Sequence, residues 1–163
     1  PANASGHGTS VSTMTTAHPV PRDPATRLRE TLARLTAEED VWLATAHPRH
    51  GPHQIPIWFL WRDDLAWLCT RATSPSVRNI RADPRVRLAL PSAADVVIVD
   101  GSAEPVPLAE GPAAAYTAKY RWDPAAEADT HLFLRVVPRT VLAWRGEPEF
   151  PGRSLMRRGT WLA

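Results

Sequence analysis

Cysteine and lysine are almost missing from this 163-residue chain. Cys69 is the single cysteine, so no disulfide can close within the chain, and the expectation is a cytoplasmic protein whose thiol stays reduced. Lys119 is the single lysine, so nearly every cation is an arginine guanidinium. No apolar run approaches the roughly 20 residues needed to cross a bilayer, and no secretory leader pattern is visible. G-x-S-x-G, P-loop and G-x-G-x-x-G elements are absent, which removes support for the hydrolase and nucleotide classes they mark. A formal net charge of +2 is too weak a bias to imply nucleic acid. Internal repeats are absent as well.

What is present is an apolar fraction of 44% and seven tryptophans, enough for one domain with a real core. Residues 1–22 are rich in Ser, Thr, Pro, Gly and Ala without periodicity and read as a disordered tail. Met14 is a candidate native start, which would make residues 1–13 an appended piece. The domain is expected over residues 23–146, with 147–163 a Gly-, Pro- and Arg-rich surface extension. Asp23 before Pro24 reads as an N-cap and first helical residue, and Leu28, Leu32 and Leu35 continue an apolar stripe. Strands follow at Val41–Ala46, Gln54–Trp61 and Leu65–Thr70, joined by turns at His47–Pro52 and Arg62–Asp64. Gln54–Trp61 carries apolar residues on both faces and is expected to be buried on both. A short helix is predicted at Ser76–Asp83, strands at Val86–Leu90 and Asp95–Val106, and a helix at Gly111–Tyr120. Two last strands, His131–Val137 and Thr140–Arg145, are expected to break at Pro138. The pattern predicts a mainly β fold with flanking helices, its antiparallel sheet closed into a small barrel that hides its edges.

Several candidate chemistries have a plainer explanation. His47, His50 and His53 are spaced by three, but Pro48, Gly51 and Pro52 between them make a turn, so no metal site is expected. Cys69 sits in an apolar strand with no base in view and reads as a small hydrophobe. Asp63-Asp64 and Glu38-Glu39-Asp40 fall in a turn and at a helix end, as solvated or capping groups. The segment Ser74–Val86 is the better candidate. Arg78, Asn79 and Arg81 cluster at a helix start, where free N–H groups and guanidinium forks suit a phosphate. The strands before it carry Trp58, Trp61 and Trp67, against which a planar ring could lie.

With those residues in view, the chain resembles the pyridoxamine 5′-phosphate oxidase-like superfamily of flavin and deazaflavin oxidoreductases, nearest its actinobacterial deazaflavin-dependent branch. The resemblance rests on Val41–Thr45, Pro56–Trp61, Arg78–Val86, Asp95–Glu104, Ala115–Tyr120 and Arg135–Pro138, in the family's order. It implies an FMN-binding type of split β-barrel, an antiparallel Greek key of six to eight strands. It also implies a homodimer with cofactor grooves between barrels, and neither nucleic acid nor membrane as partner. The implied cofactor is the deazaflavin coenzyme F-420, with FMN or no cofactor as alternatives, and the implied activity is hydride transfer involving a small conjugated substrate. By the same analogy, Pro56, Ile57 and Trp58 would line the ring. Thr70, Arg71, Ser74, Ser76, Val77, Arg78 and Asn79 would hold the ribityl and phosphate portion. Trp144 and Arg145 would reach the partner subunit's site. No catalytic residue is implied. Ser76 stands where the family pattern has a lysine, and losing such a charge-assisted phosphate contact costs about 1.5–3 kcal/mol. That departure keeps open two other readings: a binding protein for a flat ligand such as a tetrapyrrole, and a cofactor-independent biosynthetic enzyme.

Overall fold

The computed structural model describes residues 20–162, so all but the last three residues of the expected tail lie outside it. Helix α1 (Pro24–Ala37) begins as its sequence dictates: the Asp23 carboxylate accepts from the Thr26 N–H at 2.9 Å, and Pro24 fills the first turn. The chain then enters β1 (Asp40–His47), β2 (Gly51–Arg62) and β3 (Leu65–Arg71). A two-residue turn joins the last two, with Asp63 and Asp64 at φ 52° and 57°, the left-handed conformation such hairpins need. Helix α2 (Pro75–Ala82), β4 (Arg85–Ala89), β5 (Val96–Val106), α3 (Ala113–Tyr120) and β6 (His131–Trp144) complete the main body.

The strands form one antiparallel sheet in the order β3-β2-β1-β4-β5-β6, and β3 also pairs with β6. That pairing closes a six-strand barrel, and the β4-β1-β2-β3 arrangement is a Greek key. Two small strands, β7 (Ser154–Arg157) and β8 (Thr160–Trp161), extend the sheet beyond β6. Inside the barrel, Val41, Leu43, Phe59, Leu68, Val99 and Leu134 belong to one buried cluster. A second cluster of Trp67, Val106, Leu108, Tyr116 and Phe133 lies where α3 covers the outer face of β3 and β6. No helix among the described residues is long and apolar enough to cross a membrane.

Three expectations are corrected. First, β2 is not buried on both faces, because Pro52, Gln54, Pro56 and Trp58 are exposed. It is β3 that is covered on both sides, with Leu68 in the barrel core and Trp67 under α3. Second, His131–Trp144 is one continuous strand. Pro138 is accommodated opposite Gly101, where the β5 register shifts, and a Cβ on Gly101 would sit 2.4 Å from the Val137 carbonyl oxygen. Third, the segment after Arg145 is not merely a surface run. Leu155 and Met156 on β7 are buried in the barrel core cluster. Glu149, also buried, takes hydrogen bonds from the Arg22 side chain at 2.9 and 2.8 Å and from the Arg145 N–H at 2.6 Å. Arg22, assigned to the tail by composition, is therefore anchored to the barrel.

Candidate functional site

The barrel opens where β2 and β3 part. Their pairing runs from Arg62↔Leu65 to Phe59↔Leu68 and stops there. Continued, it would set Trp58 against Cys69 and Ile57 against Thr70. β2 instead stays paired with β1 as far as His47↔Gly51, while β3 continues along β6 to Arg71↔His131. The alternate residues His53, Ile55 and Ile57 are therefore only half buried, because β1 flanks them on one side and no strand on the other. Along β2, Ile57 to His53 spans about 13 Å. This opening has β2 on one side and the end of β3 on the other.

A hydroxyl bridges the top of the opening. Tyr116 Oη donates to the Trp58 carbonyl at 3.0 Å and accepts from the Cys69 N–H at 3.4 Å, standing in for the missing ladder. Burial raises its pKa above the ordinary tyrosine value, outweighing the Cys69 N–H, which on its own would lower it. One turn along α3, Tyr120 stacks on Trp58 with ring centroids 4.5 Å apart and planes 7° from parallel. The Tyr120 oxygen also accepts from the Phe59 N–H at 3.0 Å. Lys119 donates to the carbonyls of Glu38 at 2.5 Å and Phe59 at 2.9 Å, just past the end of α1, and burial lowers its pKa. The Tyr116, Lys119 and Tyr120 cluster thus fastens α3 to β2 beside the opening.

At the other end, β3 turns directly into α2: the Ser74 N–H donates to Arg71 C=O at 3.0 Å, and the Arg78 N–H donates to Ser74 C=O at 3.2 Å. Ser74 is the N-cap, its hydroxyl accepting from the Val77 N–H, and Pro75 occupies the first turn. Arg71 and Arg78 are exposed, and neither has a carboxylate partner among the described residues. Arg78 lies close enough to His47 to help lower its pKa, after desolvation and His50.

The twelve expected cofactor residues divide sharply. Pro56, Ile57, Trp58, Thr70, Arg71, Ser74 and Arg78 border the opening or the turn leading from it. Val77 is core. Asn79 is buried and donates to Thr45 Oγ at 3.0 Å, tying α2 to β1. Ser76 is 0% exposed and its hydroxyl has no partner, so this side chain does not fit the role of a phosphate donor. Trp144 and Arg145 lie at the opposite end of β6 from Leu132, the partner of Thr70, about 40 Å of strand away. Arg145 is already held by Asp95 at 2.6 Å and Glu30 at 3.1 Å. They do not join the other residues within one chain.

Residues that sequence reasoning passed over stand at the top of the opening. A cavity of about 290 Å³ is lined by Ile57, Trp58, Cys69, Tyr116, Trp122 and His131. Burial pushes the Cys69 thiol up to about 12, so it is not a nucleophile here. The i, i+4 tyrosines of α3 were the one signal in the sequence for this wall. Nothing in sequence spacing joins Trp122 and His131 to it. A larger groove of about 610 Å³ lies elsewhere, across β1, β4 and β5, between Ala44, Arg85, Arg87 and Asp100. Of the three turn histidines, His47 and His50 pack ring to ring at 4.5 Å, and no metal-binding cluster of three ligands forms among the described residues.

A six-strand Greek-key barrel that opens between two of its strands is the split barrel of the flavin-binding superfamily. The chain belongs to the pyridoxamine 5′-phosphate oxidase family, whose sequence pattern it matches over residues 28–145. No curated protein matches it. Among solved structures, it is similar to a heme binding protein from Mycobacterium smegmatis, with 25% identity, a TM-score of 0.60, and coverage of 86% of this chain and 60% of that one. An F-420 reductase is similar at 24% identity and TM-score 0.56, covering 67% of this chain and 93% of that one. An FAD-binding protein from Mesorhizobium loti is similar at 21% and 0.54, covering 70% and 89%.

Proposed function

We propose that this protein is an oxidoreductase that holds the deazaflavin coenzyme F-420, or FMN in the same slot, in the opening between β2 and β3. Its substrate is a small conjugated organic molecule. The observation that carries this reading is the opening itself, with its half-buried inner face on β2, an aromatic end at Trp58 and a guanidinium end at Arg71 and Arg78. When bound, the ring supplies the hydride chemistry. The chain's own residues bind and orient: Ile57 offers an apolar wall on the inner face of β2, Trp58 forms the outer rim beside it, and Tyr116 holds the two strand ends at a fixed separation. Arg71 and Arg78 offer paired donors to phosphate oxygens. Exclusion of water from the ring follows from the same aromatic wall.

Two copies of the chain complete the assembly in this reading. The outer face of β1 and β2 exposes Trp42 (40%) and Trp58 (43%) around the small residues Ala44 and Ala46, a surface suited to a second barrel. Trp144 and Arg145 would reach a groove only across such a dimer, and Arg145 only after leaving Asp95. The second reading, a binding protein for a flat ligand such as a tetrapyrrole, draws support from the buried Ser76, which supplies no cation for a phosphate. Similarity to a heme binding protein points the same way.

Equilibrium titration of the purified chain with F-420, FMN and hemin separates these readings. Micromolar binding of F-420 or FMN, weakened about tenfold or more by Arg78→Ala, is the expected result. Tight hemin binding with no response to either flavin-type cofactor would replace the first reading by the second.

A further inference from the structure

We propose that the cavity between the open ends of β2 and β3 and helix α3 seats the reacting substrate, and that it selects a planar one- or two-ring aromatic carrying a hydroxyl or N–H donor, received by Nε2 of His131. The proposal rests on the reading above in one respect: Ile57 and Trp58 line both this cavity and the proposed ring slot, so a molecule here lies beside the ring.

Shape argues for a flat molecule. The cavity holds about 290 Å³, at the small end of ligand sites, which admits one or two fused rings and little more. Its walls are aromatic and braced. Trp58 is backed flat by Tyr120. Tyr116 meets Trp122 edge to face at 6.3 Å, and Trp122 meets His131 in the same manner at 6.0 Å. Such edges and faces favour another aromatic over an aliphatic chain of equal volume.

Polarity singles out His131. The Tyr116 hydroxyl is already used on both its donor and acceptor sides, between Trp58 C=O and the Cys69 N–H. The Cys69 thiol is a weak donor and remains protonated. That leaves the imidazole as the acceptor of the lining, since the indole N–H groups of Trp58 and Trp122 can only donate. His131 Nδ1 lies 2.8 Å from Thr130 Oγ, and the same Oγ lies 3.3 Å from Glu127 C=O. The threonine hydroxyl has one proton and a carbonyl can only accept, so Thr130 donates to Glu127 and accepts from Nδ1–H. The Glu127 carboxylate, 3.9 Å from Nδ1, favours the same placement of the imidazole proton. Nε2 is then the unprotonated nitrogen, and it has no hydrogen-bond partner among the described residues. A ligand that brings a donor satisfies it; one that brings only an acceptor leaves it unpaired.

The test is calorimetric titration of the full chain with naphthol and with methoxynaphthalene, which share a shape but differ in the donor. Naphthol is expected to bind about five- to tenfold more tightly, the worth of one hydrogen bond. His131→Leu should abolish that difference, and Trp122→Leu should weaken both ligands alike. Equal affinity of the two compounds for the unaltered protein would overturn the proposal without any variant, as would binding of neither. FMN and F-420 are titrated in parallel. Cofactor binding without naphthol selectivity refutes this site and leaves the proposed function standing. Naphthol selectivity without cofactor binding supports this site and refutes the cofactor reading.

Discussion

Replacing Tyr116 by phenylalanine removes one oxygen atom and tests whether the barrel's opening is held at a set width. The ring should stay where it is, because its neighbours are aromatic: Tyr120 at 4.7 Å, Phe133 at 5.5 Å and Trp122 at 6.3 Å between centroids. Packing is thus conserved and only hydrogen bonding is lost. The Trp58 carbonyl loses a 3.0 Å bond, while the Cys69 N–H loses a 3.4 Å bond that is long and correspondingly weaker. Counting one good bond, one weak bond and partly desolvated groups left behind gives a cost of about 2 kcal/mol. For a chain of this size that lowers Tm by about 4–8 °C. Urea unfolding followed by tryptophan fluorescence measures the energy, and hydrogen exchange at the Cys69 amide measures the local effect. The expected outcome is a destabilisation near the stated value together with faster exchange at Cys69. A change below about 0.5 kcal/mol with the Cys69 amide equally protected would show that the bridge does not hold the strands and would refute the reasoning.

Acid should release the buried Glu149 latch. Hydrogen bonding to Arg22 lowers its carboxylate from 4.5 to about 2, so its contribution to stability is complete above the unfolded value and is lost as pH falls from 4.5 toward 2. The stability gap between the unaltered protein and Glu149→Gln, measured by urea unfolding across that window, should shrink by roughly 3 kcal/mol as the pH falls; a constant gap would contradict the assignment. Ser76→Ala should be neutral or stabilising by up to about 1 kcal/mol because it removes a buried, unpartnered hydroxyl, and Ser76→Lys should destabilise by burying an ammonium. Gly111→Ala places a Cβ 2.2 Å from the Phe133 ring, so thermal unfolding should report a loss of about 1–3 kcal/mol.

Local chemistry made much of the fold legible. The Asp23-Pro24 cap, the Asp63-Asp64 turn, the α2 region and the ordered strands all carry signals written within a few residues, and these the structure reproduces to within a residue or three. What failed did so through tertiary cover. Gln54–Trp61 looks doubly buried because its outer face is apolar, yet α3 lies over β3 and β6 and reaches β2 only at Trp58 and Leu60, leaving Gln54 and Pro56 uncovered. Pro138 breaks no strand because Gly101, 37 positions away, yields room opposite it. The C-terminal strand hides its buried pair, Leu155-Met156, among arginines, prolines and glycines. The site was legible in the same uneven way. Residue type picked out Arg78 and the Pro56–Trp58 strand as candidates, and the structure sets them along the opening or the turn leading from it, but only side-chain direction reveals that Ser76 and Asn79 face inward on α2. His131, placed by the β3–β6 pairing, and Trp122, just past α3, line one cavity with Trp58, a meeting that no spacing encodes.

The central claim is that the split between β2 and β3 is the cofactor groove. The most direct measurement is a crystal structure of the chain soaked with F-420 or FMN. The account predicts ring density against Ile57 and Trp58, with phosphate density within hydrogen-bond reach of Arg78 or Arg71. Density in the wide groove across β1, β4 and β5 instead, with the split empty, would contradict it.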